Sequence, residues 1–110
     1  MNDSNQNQEI PNSADPLAQA DPDFVTPFDA LYTNVWSTGA IPAKYKELCG
    51  VALSIAIRCE PCVAYHIRMC LGEHATRAEL TEAIRIGIIC GGSITIPTAR
   101  FAYKVILEAP

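Results

Sequence analysis

Two cysteines and a histidine stand close together in the stretch Cys59-Glu60-Pro61-Cys62-Val63-Ala64-Tyr65-His66. On a helix turning about 100° per residue, positions 59, 62 and 66 fall within a sector of about 60°, so two thiols and an imidazole share one face. Cys70 lies on that face one turn further on. Pro61 sets the phase, because proline is accepted in the first turn of a helix but not in its interior, and it disfavours the helical region for Glu60. The helix therefore starts here. Its unpaired N–H groups and positive dipole end point toward Cys59 and Cys62 and favour a thiolate, with Arg58 acting in the same sense and Glu60 against it. His66 can accept or deliver a proton near neutral pH. These groups describe a dithiol with its own proton handling. Helix-end logic favours Cys59 as the more acidic thiol and proximity to His66 favours Cys62, and both assignments stay open.

Glu47 precedes Cys59 by twelve residues, in line with Val51 and Ile55, so its carboxylate is aimed along an apolar face. Partial desolvation there suits proton transfer, although a glutamate at the rim of a core is the plainer reading. Cys49 and Cys90 sit among apolar neighbours and read as small hydrophobes. Burial is also the favoured role for Cys70, with a third redox thiol as the alternative. His74, beside Gly72, reads as a solvated turn residue, and the scattered Tyr and Trp positions read as core or interface.

The elements that must position these groups are helical. Thr26-Pro27-Phe28-Asp29 looks like a helix start with Thr26 as N-cap, followed by a Leu31, Val35, Trp36 stripe and a stop at Gly39. In residues 42–58, apolar side chains wrap nearly the whole circumference, so this helix must be buried on most sides. One small domain has little interior for that, and neighbouring subunits are expected to supply part of the cover. The cysteine-bearing helix runs to about Leu71. Thr76-Arg77-Ala78-Glu79 is a capping-box pattern that opens the next helix, which Gly91-Gly92 ends. Ile94-Thr95-Ile96 alternates like a strand, but Ala99, Ala102, Tyr103 and Ile106 recur at helical spacing, and helix is preferred. The expected fold is all-α, about five helices over residues 23–110.

The chain of 110 residues carries a formal charge of −4. Asp3, Glu9, Asp15 and Asp21 are the only ionisable side chains in residues 1–22, so the remainder is balanced. A balanced surface lacks the clustered cations that nucleic acid or anionic lipid require, and neither is expected as a partner. The uncharged stretch Ile86 to Ala99, which no other exceeds in length, is broken by Gly91, Gly92 and Pro97 and is shorter than the ~20 residues of a spanning helix. Residues 1–22, polar and rich in Asn, Gln and Pro, read as a disordered acidic tail without secretory features. A reducing cytoplasm follows as the expected compartment, where five cysteines do not suggest a disulfide scaffold.

Glu47, eleven intervening residues, then Cys59-x-x-Cys62-x-x-x-His66 resembles the signature of the alkylhydroperoxidase D-like proteins of the carboxymuconolactone decarboxylase superfamily, and Gly91-Gly92 fits the same pattern. The resemblance spans roughly Pro42 to Tyr103 and implies an all-helical fold, assembly into homotrimers or hexamers, and thiol-dependent peroxide or disulfide reduction. Carried over by position, Cys59 and Cys62 are the catalytic redox pair and Glu47 and His66 the proton relay. No cofactor or metal is called for. The partners implied are a hydroperoxide or disulfide substrate and a dithiol or redox-protein reductant. Well-known members carry a second histidine where this chain has Pro61, a departure that disfavours peroxide reduction more than disulfide exchange.

Three other readings compete. A decarboxylase-type lyase makes no use of a vicinal dithiol. A non-enzymatic metal-binding or structural oligomer would need a fourth zinc ligand from Cys70 or Glu47. A thioredoxin-type domain would need strands around the cysteines.

Overall fold

The structure, a computed structural model, describes residues 15–110. Those residues are all-helical, with no strand among them. Helix α1 is Pro16–Ala20, α2 Pro22–Trp36, α3 Ala43–Ala56, α4 Glu60–Gly72, α5 Arg77–Gly91 and α6 Ile96–Glu108, with a 3-10 turn at Ser93–Thr95 between α5 and α6. The ambiguous Ile94–Ile96 stretch is thus helical, as the spacing of the following alanines requires.

The beginning of the fold departs from expectation. The tail was expected to extend through Pro22, but Asp15 caps α1 by accepting from the Leu17 N–H at 3.0 Å, and Pro22 already lies in the first turn of α2. Residues 1–14 fall outside the described residues. Helix α2 therefore begins one turn before Thr26, and Pro27 is inside it. Asp-Pro and Thr-Pro are both good helix openings, and the earlier one wins. At its other end Ser37, not Gly39, is the cap, its N–H reaching Thr33 and Asn34 carbonyls.

The core is aliphatic. Helix α3 packs against α4 and α5, and α6 against α4, around Val51, Ile55, Val63, Ile67, Leu80 and Ile84. Gly87 makes the α3–α5 approach close, since a Cβ there would stand 2.6 Å from the Ile55 Cβ and 2.7 Å from the Ala52 carbonyl oxygen. The capping box forms as read: the Glu79 N–H donates to Thr76 Oγ1 at 3.1 Å and the Thr76 N–H to Glu79 Oε1 at 2.9 Å. Glu79 Oε2 also pairs with Lys44 Nζ of α3 at 3.1 Å.

Helix α3 is not buried on most sides of the single chain. Cys49 is exposed and Leu53 is 63% exposed. They line an open apolar groove of about 490 Å³ between α3 and α5. Helix α2 likewise leaves Phe24, Phe28, Leu31 and Val35 exposed. Among the described residues, no helix is long and apolar enough to cross a membrane.

Candidate redox site

The site forms where α3 ends and α4 begins. Arg58 takes a left-handed conformation (φ 59°) and turns the chain, while the Cys59 N–H reaches back to the Ser54 carbonyl at 3.0 Å. Cys59 is the N-cap of α4: its Sγ accepts from the Cys62 N–H at 3.3 Å, and its carbonyl accepts from the Val63 N–H at 2.9 Å. The two sulfurs are joined as a disulfide, with the Cα atoms 5.3 Å apart. Both residues are half-buried, so the pair is reachable from outside.

One turn along α4, His66 is buried and its Nδ1–H donates to Glu47 Oε1 at 2.7 Å. Glu47 is itself 3% exposed, so the rim reading gives way to a carboxylate held inside the protein. That bond fixes the tautomer and leaves Nε2 as the nitrogen through which the ring can exchange a proton. The four residues singled out by spacing thus form two pairs on the α3–α4 hairpin: the Cys59–Cys62 disulfide at the start of α4, and the Glu47–His66 pair, whose histidine follows Cys62 by one helical turn.

Other groups complete the site without having been foreseen. Gly50 lets the imidazole lie against α3, since a Cβ there would stand 2.6 Å from His66 Nδ1. Trp36 lies on the ring with centroids 4.7 Å apart, and Tyr65 meets its edge at 5.1 Å. Burial, with the Tyr65 hydroxyl and the Glu47 charge nearby, pushes the Tyr32 phenol up to about 12. Burial also raises Tyr65. A glycine in a helix interior costs about 1 kcal/mol relative to alanine, which is the signal that could have drawn attention to Gly50.

Of the remaining cysteines, Cys49 and Cys90 depart from the expected burial and Cys70 meets it. Cys49 and Cys90 are exposed, whereas Cys70 is fully buried. Burial, with the Glu47 and Glu79 charges behind it, pushes the Cys70 thiol up to about 12. In reduced native protein, iodoacetamide is therefore expected to label Cys49 and Cys90 while sparing Cys70; peptide mapping that finds Cys70 labelled as fast as they are would contradict this placement. A raised pKa also ties stability to pH. The neutral-thiol contribution is complete below the unfolded value of 9.0 and is lost as pH rises toward 12. His74 is an exposed turn residue in the left-handed region (φ 64°). Among the described residues, no group of three or more His, Cys, Asp or Glu side chains is gathered as a metal site.

A family model for the carboxymuconolactone decarboxylase family matches residues 22–104. An uncharacterized protein of Cupriavidus necator is 36% identical over 90 residues, 82% of this chain and 77% of its own. A crystal structure of a carboxymuconolactone decarboxylase family protein from Thermotoga maritima, for which involvement in the antioxidative response has been suggested, matches with a TM-score of 0.74 at 37% identity, covering 76% of this chain and 87% of that one. Another family member, from Legionella pneumophila and in its apo form, matches with a TM-score of 0.78 at 29% identity, covering 84% of this chain and 82% of that one.

Proposed function

The chain belongs to the carboxymuconolactone decarboxylase family, and from that premise we propose that it is a thiol-dependent oxidoreductase that reduces hydroperoxides or exchanges disulfides with a dithiol donor. The supporting observation is the Cys59–Cys62 disulfide at the start of α4, one turn from the buried Glu47–His66 pair. In the reductive direction a thiolate attacks one peroxide oxygen. The O–O bond breaks, the sulfur becomes a sulfenic acid, and the departing alkoxide takes a proton to leave as an alcohol. The second thiol attacks the sulfenic sulfur, the S–S bond forms, and hydroxide leaves with a proton as water. An external dithiol then restores both thiols and is itself oxidised to a disulfide. His66, through Nε2 and backed by Glu47, takes the thiol proton and returns it to the departing oxygen. The similarity to a family member for which involvement in the antioxidative response has been suggested fits this chemistry. The open apolar faces of α2 and α3 support assembly with further copies of the chain.

The test uses reduced protein and one equivalent of an organic hydroperoxide. Mass spectrometry is expected to show loss of two hydrogens between Cys59 and Cys62, reversed by a dithiol. An unchanged mass would sink the reading. Glu47→Gln keeps a hydrogen-bonding side chain beside His66 but removes the charge, and is expected to slow this oxidation about a hundredfold at neutral pH. Stopped-flow rates equal to those of the unaltered chain would remove Glu47 from the mechanism.

A further inference from the structure

Aromatic side chains on α2 form a ladder at four-residue intervals. Ring centroids are 5.6 Å apart from Phe24 to Phe28, 6.1 Å from Phe28 to Tyr32 and 5.8 Å from Tyr32 to Trp36. The last rung leaves the helix: Trp36 lies on the His66 imidazole, 4.7 Å between centroids. At this end α2 is fastened to α3. Lys46 Nζ donates to the Val35 carbonyl at 2.8 Å and the Ser37 carbonyl at 2.7 Å, the two carbonyls on either side of Trp36. A cation there also meets the negative end of the α2 dipole. Lys46 and Glu47 are neighbours on α3, so one holds the helix that carries the indole and the next holds the imidazole beneath it.

We propose that Trp36, clamped by Lys46, is a positioning residue that fixes the His66 ring in the orientation its proton exchange with the Cys59–Cys62 pair requires. One hydrogen bond, to Glu47, locates Nδ1 but leaves the ring free to tilt about that contact. The indole on one side and the backbone of Gly50 close to the ring remove that freedom. Small misplacements of a proton-transfer group carry large rate penalties, up to about a hundredfold for roughly 1 Å. The catalytic consequence rests on the thiol-oxidoreductase reading, whereas the contact itself does not.

Trp36 is the only tryptophan of the chain, so its emission reads the contact directly. An imidazole packed on an indole perturbs the emission of the indole, and His66→Gln is expected to change both intensity and wavelength. Lys46→Met touches neither the thiols nor His66, yet is expected to shift the emission toward that of a solvated indole. It should also slow oxidation of the reduced full-length chain by tert-butyl hydroperoxide about tenfold. Trp36→Ala is expected to slow it at least as much, and Trp36→Phe, which restores a ring over His66, to recover most of the rate. A plug that served only packing would lower stability without the loss of rate in Trp36→Ala and its recovery in Trp36→Phe. Identical emission with and without His66, or oxidation of Trp36→Ala and Lys46→Met at the unaltered rate, would overturn the positioning role alone. Unaltered chain inert to hydroperoxide would instead overturn the redox reading and the consequence drawn from it.

Discussion

Cys59→Ser is expected to end turnover while leaving the fold in place. Serine is among the best N-cap residues, so its hydroxyl takes over from Sγ the bond from the Cys62 N–H, and α4 keeps its start. The disulfide spans only three residues in sequence, and so short a loop restricts the unfolded chain little. Thermal stability should therefore shift by no more than about 1 kcal/mol. Activity should fall by roughly 10³-fold or more, because Cys62 alone has no partner thiol with which its sulfenic acid can condense to a disulfide. Cys70 is no substitute, being fully buried with its thiol pushed up to about 12. Under hydroperoxide the variant should gain one oxygen instead of losing two hydrogens. Sustained turnover of hydroperoxide by Cys59→Ser, measured with a dithiol in excess, is the result that would dismantle a two-cysteine mechanism.

Gly50→Ala is expected to slow oxidation as much as Glu47→Gln and to destabilise the fold as well, and it acts through space. The new methyl would stand 2.6 Å from Nδ1, 2.7 Å from Cγ and 2.9 Å from Cε1 of His66. Carbon atoms essentially never approach so closely, so either the imidazole or α3 must shift. The ring cannot simply retreat, since Trp36 lies on it and Tyr65 meets its edge. The Glu47–His66 hydrogen bond is the contact that yields. Overpacking of this kind costs about 1–3 kcal/mol, and losing an aligned proton-transfer pair costs about 10²-fold in rate. Disulfide formation at neutral pH should slow accordingly while the Cys59–Cys62 pair still closes at long times. A melting temperature and a rate both equal to those of the unaltered chain would show that His66 has room the structure does not display.

The legible part of this protein was that written in spacing and caps. Thr76 and Glu79 announce α5 because each side chain meets the other's backbone N–H, and Pro61 announces α4 because its ring tolerates only a first turn. The grouping of Cys59, Cys62 and His66 was readable because thiols and an imidazole at helical intervals have few structural uses, whereas Glu47 read more plainly as a rim residue and joined them only through the family resemblance. Gly50, Trp36 and Lys46 were not, for they meet the site through tertiary contacts with no local signature. Trp36 sits thirty residues before His66. The α2 start was misplaced because two proline-led openings lie within five residues and local chemistry does not rank them. The burial of Cys70 and the exposure of Cys49 and Cys90 separate three thiols that look alike along the chain.

The cap at Cys59 has a consequence for how the centre would change charge and mass during a cycle. Its amide is held by Ser54, its carbonyl by Val63, and its sulfur by the Cys62 N–H. The two backbone bonds do not use the sulfur–sulfur link, and the amide that meets Sγ is a better donor to a thiolate than to a disulfide sulfur. Two electrons and two protons can then enter with the surrounding framework stationary. In the proposed cycle, the reorganisation that accompanies a change of oxidation state would be confined to a few side-chain atoms.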